Sequence, residues 1–469
     1  MWITRLIKRI EQLLKQQVIL QNKTTEIHPM AQDIALLFQQ CDPAEALPPG
    51  DRRYVAFDNV RGEGKHALLR LTRAIRNKPP VCRLLSGHRG GGKSTELLRL
   101  QEELEQTGPT GDKFFVVYFE ADQEDLDVSD VDFPDILLAI VRQIGLAFRK
   151  RLKVELRSNW FSRFFDDLKS LLGSEVEFQK LELDAKFAKF TAAIKYSPMA
   201  RDEIRKALEP NISNLIQAAN ELIEEAIALL QARGYKNLVV IVDNLDRIVL
   251  RNFDTCRTSH DHLFLHRGPQ LKALKCHIVY TLPISLVYSP QARVVFANIY
   301  DSQPDVISMV KVIERDGSDN PQGLQAMRQM VLKRLAAANL TQEDAFDMAG
   351  TLDDLCRKSG GHLRSLLLLI DTAGEIAGRL PLTALDIEQA FRDMINAFDR
   401  ALTKPAYFDA LRQIDSTHEL SGGDHDLMLL YNLSVLEYEN GEIWYAVNPA
   451  IQGLRKFKRT KTTPSATKP

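Results

Sequence analysis

At 469 residues the chain is long enough for about three domains. Its 45% hydrophobic and 26% charged content is that of an ordinary globular protein and excludes a fibrous or low-complexity chain. A formal net charge of -1 excludes a global field drawing the whole molecule to nucleic acid or lipid, so any such binding has to be local.

Residues 1–20 carry Ile3, Leu6, Ile7, Ile10, Leu13 and Leu14 at the spacing of one helix face, with Arg5, Lys8, Arg9 and Lys15 over much of the rest. Such a helix packs on a protein surface, the commoner use, or lies on an anionic membrane with Trp2 near its end. Residues 1–19 are therefore the candidate for peripheral membrane contact, and residues 1–28 form a first unit of amphipathic helix and polar linker. Pro43, Pro48, Pro49 and Gly50 break regular structure. Residues 53–57 read as a short strand, followed by the turn holding Arg61 and Gly62 and a helix over about 65–75.

Residues 87–95, Gly-His-Arg-Gly-Gly-Gly-Lys-Ser-Thr, fit G-x-x-x-x-G-K-[ST] at every position. Gly87, Gly90, Gly91 and Gly92 let successive backbone N–H groups turn inward around an anion where a Cβ would obstruct them. Lys93 adds a charge within reach of β- and γ-phosphates, and the Ser94 hydroxyl is of the type that ligates Mg²⁺. A strand at 81–85 enters the loop, and a helix opening at Thr95 turns its N-terminal dipole toward the phosphates. ATP with Mg²⁺ is the expected ligand.

Residues 114–119 predict a buried strand. The segment from Glu120 to Asp135 then holds eight carboxylates and no basic residue, read as a solvated acidic loop rather than a metal site because the hard-cation spacing is absent. A helix is expected over 133–148. Beyond it, Arg149, Lys150, Arg151 and Lys153 lead into Arg157, Trp160, Phe161, Arg163, Phe164 and Phe165. That mixture suits single-stranded nucleic acid, but the same apolar residues also fit one helix face. Residues 174–194 alternate, as Val176, Phe178, Leu181, Leu183, Ala185 and Phe187, and predict a small β insertion. Residues 201–232 predict a helix, with Arg201 and Arg205 meeting nearby carboxylates.

Residues 238–243 are five apolar residues and Asp243, a buried strand with a carboxylate at its C-terminal tip, where open α/β sheets hold ligands. Asp243 is the candidate Mg²⁺ carboxylate opposite Ser94. Asn244-Leu245-Asp246-Arg247 follows. The D-x-L-D-R pattern with the upstream loop resembles the STAND and KAP-type ATPases within the wider AAA+-like group. That resemblance implies an α/β fold: a P-loop NTPase core with a parallel sheet, a helical lid and a C-terminal winged-helix-like domain. It also implies that the strand and turn before the loop sit near adenine, making Arg61 a binding candidate. In many AAA+ members a Glu follows the metal-binding Asp and polarises the attacking water. Asn244 stands there, and an amide cannot accept that proton. Asp246 becomes the substitute candidate, with slow hydrolysis expected.

Residues 277–281 predict another strand. The resemblance places a γ-phosphate sensor at such a strand end, where Thr281 stands, though Thr is also common in strands. Ser359-Gly360-Gly361-His362-Leu363-Arg364 is similar to the second sensor element of these lids and makes Arg364 a γ-phosphate candidate. From 385 to 454 the order is helix, helix, helix, hairpin, the last marked by Asn440-Gly441. The third helix carries Asp424, His425 and Asp426 and is too acidic for DNA readout. Many STAND members place a nucleotide-contacting His after the last strand; here Asn448 stands at the comparable place.

The expected units are 1–28, a core over 50–315 with a helical/β insertion at about 150–235, a lid over 322–384, a winged-helix-like domain over 385–455 and a basic tail over 456–469. Five cysteines without C-x-x-C pairing fit a reduced cytoplasm, and no apolar run has the length of a membrane span. The expected function is a nucleotide-dependent switch with slow ATP hydrolysis, serving a bacterial-type signalling or defence assembly through an effector or regulatory protein partner and homo-oligomerisation. The alternative is a DNA-associated ATPase of replication or transposition loader type, in which nucleic acid is the partner.

Overall fold

The computed structural model describes residues 29–62, 67–156, 161, 183–253, 258–289, 291–423 and 425–458. The helix expected at 1–20, Arg157, Trp160, Arg163, Phe164 and Phe165, the alternation at 176–181 and the tail from 459 onward lie outside them.

Strands β1 (Cys82–Gly87), β2 (Phe115–Glu120), β3 (Leu238–Asp243), β4 (His277–Thr281) and β5 (Asp305–Ile307) form one sheet in the order β2-β3-β4-β1-β5. All neighbours pair in parallel. Every residue of β3 and β4 is buried, because helices cover both faces, and this is why the two strands read as unbroken apolar runs. The pleat divides them: Phe115, Val117, Val240, Val242, Ile278 and Tyr280 face one layer, and Leu85, Val116, Val239, Ile241 and Val279 face the other.

Helix α1 (Pro29–Gln40) precedes the sheet. Helices α2 (Ala67–Asn77) and α3 (Lys93–Glu105) cover one face through Leu71, Ile75, Leu97, Leu100 and Leu104. The opposite face is covered by α4 (Phe133–Ala147), α5 (Leu183–Tyr196), α6 (Pro198–Leu208), α7 (Ile212–Gln231) and α8 (Ala292–Tyr300).

Three local expectations are corrected. Residues 53–57 form no strand; Arg53 is tied to Glu45 and Asp51, each at 2.7 Å, and fixes an irregular path. The alternation reaching Phe187 does not end a β insertion, since Phe187, Phe190, Thr191 and Ile194 recur at helical spacing and are all buried on α5. Among the described residues, the insertion is helical. The helix expected over 201–232 is two, α6 and α7, because Pro210 cannot supply the N–H that a continuous helix needs.

The acidic segment is not a solvated loop either. Arg201 reaches Asp127 at 2.8 Å, Arg205 binds Asp130 and Asp135, Arg142 binds Asp125, and Arg267 reaches Asp132 at 3.2 Å. Its aspartates at 122, 125, 127, 130, 132 and 135 are matched by arginines distant in sequence. Arg151 is also used internally, donating to Val116 O and Glu105 Oε1 at 2.7 Å each and lying over the Phe115 ring.

Beyond the sheet come α9 (Pro321–Ala337), α10 (Ala349–Lys358) and α11 (Leu363–Ala377), which share an apolar cluster with α1. Helices α12 (Ala384–Ala401), α13 (Pro405–Thr417) and α14 (His425–Tyr431) follow, then strands β6 (Val435–Asn440) and β7 (Glu442–Val447) in an antiparallel hairpin. The hairpin folds back on the core. Tyr438 stacks on Trp444, and both pack with Leu436 against Met309 just after β5.

Candidate functional site

Parallel pairing brings the C-terminal ends of β1, β2 and β3 to one edge of the sheet, where α/β folds expose their ligand-binding ends. The glycine-rich loop leaves β1 there and α3 begins at Lys93, with Gly92 in the left-handed region at φ 96°. Gly90 has φ 82°, and a Cβ on it would stand 2.6 Å from Arg364 Cβ. Only glycine admits both that turn and that approach.

Lys93 Nζ lies 2.8 Å from Gly87 O, 3.0 Å from His88 O and 2.9 Å from Asp246 Oδ2. Both charged side chains are 5% exposed, so the lysine is held inside the loop by an ion pair across the site. Asp243 accepts from Tyr118 Oη at 2.9 Å and from Asn244 N at 2.7 Å. Burial pushes its carboxyl upward and the Asp246 charge adds to this, while hydrogen bonds from Ser94, the Asn244 backbone and Tyr118 act the other way. Ser94 and Asp243 thus bring a hydroxyl and a carboxylate together, the hard oxygen donors that suit Mg²⁺.

A cavity of about 290 Å³ opens beside these groups. Gly90, Gly92, Lys93, Ser94, Thr95, Asp246 and Arg364 line it. Pro43, Ala44, Ala46, Met330 and Leu367 line it as well, together with Glu45 and Arg334. Thr95 Oγ1 accepts from Leu47 N at 3.1 Å, fixing that segment over the start of α3. Arg364 stands on the first turn of α11, donating from Nε to Pro43 O at 3.0 Å and from its backbone N to Gly90 O at 3.2 Å.

Two predicted residues do other things. Arg61 lies over the Phe57 ring and donates to Gly91 O at 2.6 Å, bracing the loop from outside the cavity. Thr281 is fully buried, and its hydroxyl accepts from Leu245 N at 3.0 Å, closing the turn after β3. Asn244, at φ 65°, uses its side-chain amide on Glu120 Oε2 and Asp122 Oδ1, each at 2.8 Å. Asn448 caps the short helix after β7 by accepting from Ala450 N at 3.0 Å.

The sequence reading missed three contributors. Glu120 ends β2 directly beside Asp243 and lines the cavity, and its carboxyl is pushed upward by burial and then by Asp243. His362 donates from Nε2 to Arg89 O at 2.6 Å while its other nitrogen caps α11. His88 Nε2 accepts from Glu437 N at 3.0 Å, which joins the loop to the C-terminal hairpin. Burial above all, then the nearby His362 and Lys93, holds His88 down to about 3, so it is a neutral acceptor there. The full match to the loop pattern marks position 88 only as variable, and strand-end register is a nonlocal property that no spacing rule reports.

No group of three or more metal-ligating side chains occurs among the described residues, and no described helix is long and apolar enough to cross a membrane. No curated protein matches the chain in sequence. Among solved structures the chain is similar to Drosophila ORC bound to DNA, at 12% identity over 90% of this chain and 92% of that one, with a TM-score of 0.36. It is similar also to the Aeropyrum pernix Orc1 protein in complex with DNA (14% identity; 84% and 93% covered; TM-score 0.33) and to Cdc6p from Pyrobaculum aerophilum (12% identity; 90% and 96% covered; TM-score 0.36). Residues 66–255 match the family model described as the KAP family P-loop domain. On that match, with the parallel sheet and the complete phosphate-binding loop, the chain carries a P-loop NTPase domain similar to that of the KAP family.

Proposed function

We propose that the cleft binds ATP with Mg²⁺ and that the protein works as a nucleotide-dependent switch with slow hydrolysis. The observation that carries this is the Lys93–Asp246 ion pair inside a complete phosphate-binding loop. A triphosphate in the loop competes with Asp246 for Lys93, so binding exchanges an internal ion pair for a phosphate contact. Ser94 and Asp243 would hold the Mg²⁺, which supplies charge neutralisation at the β- and γ-oxygens. Arg89 and Arg364 both line the cleft, and guanidinium groups suit phosphate oxygens.

The switch reading is supported by where the hairpin sits. Glu437 bonds to the loop through His88, to the segment after β5 through Met309 N at 2.9 Å, and to Tyr288 through its carboxyl. Tyr438 Oη donates to Gly360 O at 2.6 Å, just before the helix that carries Arg364. A change in the loop is thereby felt by the lid and by the C-terminal unit, which we read as winged-helix-like. Homo-oligomerisation and delivery of the output through an effector or regulatory protein, in a signalling or defence setting, belong to the same proposal.

The test is equilibrium titration with a fluorescent ATP analogue, with and without Mg²⁺, beside sizing of the protein in each nucleotide state. Saturable binding that needs Lys93 and is strengthened by Mg²⁺ supports the reading. An unchanged isotherm for Lys93→Ala would overturn it.

A further inference from the structure

We infer that Glu120, at the end of β2, is the general base for hydrolysis, and that Asn244 restrains it. The inference rests on the nucleotide-binding reading above and assigns the group that the Asn244 position lacks. Three carboxylates line the cleft: Glu45, Glu120 and Asp246. Two are paired with cations, Glu45 with Arg53 at 2.7 Å and Asp246 with Lys93 at 2.9 Å. A carboxylate held by a cation is a weakened proton acceptor, which sets Glu45 aside; a triphosphate that takes Lys93 would free Asp246, so the Asp246→Asn variant is what separates Asp246 from Glu120.

Glu120 differs in what holds it. Its Oε2 accepts from the side-chain amides of Asn244 and Gln123, each at 2.8 Å. Its Oε1 has no hydrogen-bond partner among the described residues and belongs to a side chain that lines the cleft. Amides orient a carboxylate without supplying a positive charge, so the second oxygen stays available to a water. Register places Glu120 directly opposite Asp243 across the β2–β3 pair, so base and proposed metal carboxylate end neighbouring strands at one height. Asp122 is the other acid within reach of Asn244, but it is tied to Arg247 at 2.7 Å and does not line the cleft.

In the step, the oxygen of a water forms a bond to the γ-phosphorus as the bond from that phosphorus to the bridging oxygen breaks. The water gives one proton to Glu120 Oε1, and the products are the nucleoside diphosphate and inorganic phosphate, with the proton later released to solvent. Asn244 is a positioning residue: while its amide holds Oε2, the carboxylate is turned toward the β2–β3 junction. Its left-handed backbone suits Asn or Gly, so Asn244→Gly removes the amide without straining the turn.

The experiment combines three readouts on the full chain: ATP-analogue affinity, single-turnover hydrolysis, and chromatographic identification of the nucleotide retained after desalting. Glu120→Gln is expected to bind ATP within about threefold of the parent, to lose about 10²–10⁴-fold in hydrolysis and to retain ATP where the parent retains ADP. Glu120→Asp, which keeps the charge but withdraws it by one methylene, is expected to fall between them. Asn244→Gly is expected to hydrolyse several-fold faster than the parent, and Asn244→Gly with Glu120→Gln to be as slow as Glu120→Gln alone, a non-additivity that a structural role would not produce. Glu120→Gln hydrolysing at the parental rate, or Asp246→Asn trapping ATP while Glu120→Gln does not, would overturn the assignment. Absence of ATP binding by the parent appears in the affinity readout first and overturns the nucleotide reading instead.

Discussion

His88, the second residue of the phosphate-binding loop, accepts a hydrogen bond from the backbone amide of Glu437, 349 positions further along the chain. The carboxyl of Glu437 is also buried there, and burial raises it from the ordinary 4.5 to about 7 despite the Tyr288 hydroxyl that bonds to it. A group raised in the folded state stabilises that state fully below its unfolded value, and the contribution is lost as pH rises through its folded value. Docking of the hairpin therefore weakens between pH 4.5 and about 7 by up to roughly 3 kcal/mol on account of Glu437. His88 acts oppositely, since its depressed value removes stability as pH falls from 6.5 toward about 3. The difference between parent and Glu437→Gln isolates the carboxyl: the variant's thermal midpoint is expected to gain on the parent's as pH is raised from 5 to 8. Parallel pH profiles would contradict this.

Lys93→Ala is expected to do more than abolish nucleotide binding. It leaves the Asp246 carboxylate, 4% exposed, without its cation, a change that costs on the order of 3–5 kcal/mol. Nucleotide-free Lys93→Ala should therefore melt well below the parent. Lys93→Ala with Asp246→Asn should recover much of the midpoint and none of the ATP binding, which calorimetry with and without nucleotide separates.

Two glycines in the helical region beyond the sheet give an opposed pair. A Cβ on Gly361 would stand 1.8 Å from Val310 O, at a φ of +73°. Gly361→Ala is expected to destabilise by more than about 3 kcal/mol, through backbone displacement and left-handed strain together. Gly350, on the first turn of α10, has nothing within 4 Å of its added Cβ. Gly350→Ala should raise stability by about 0.5 kcal/mol through helix propensity. Denaturant melts of both variants check the contrast.

Arg205 holds Asp135, which is buried at the start of α4 and whose carboxyl burial pushes upward even with Arg205 opposing it. Arg205→Ala is expected to cost roughly 3–5 kcal/mol by stranding that charge, whereas Arg205→Ala with Asp135→Asn should cost less. Thermal unfolding of the single and double variants measures the coupling.

Where sequence pattern is local, it carried far. β3 and β4 end where their apolar runs end, and the strand, glycine loop and helix around Lys93 follow from residue chemistry over a short span. The run of carboxylates from Glu120 to Asp135 misled because its partners, among them Arg142, Arg201 and Arg205, come from α4 and α6 and are adjacent only once packed. Residues 53–57 have strand-like composition, but an arginine clasp decides their path. Lys93, Ser94, Asp243 and Arg364 each sit at a fixed offset from a sequence motif, which is why they can be named as candidates without a structure. Glu120 cannot, because its place beside Asp243 depends on which strands become neighbours. The contact of His88 with Glu437 depends on the hairpin returning across the whole domain.

The order of the sheet also determines what can be cut from this protein. β4 lies between β3 and β1, yet it is residues 277–281, beyond the end of the stretch that matches the family model at 255. A fragment ending there would keep the strand that carries the loop and the strand that carries Asp243 but remove the one that joins them, leaving two unpaired edges facing a gap about 10 Å wide. A fragment that keeps the inner strands of the sheet paired therefore extends at least through Thr281, and the strands that carry Lys93's loop and Asp243 are held at their spacing by a strand that contributes no side chain to the cleft.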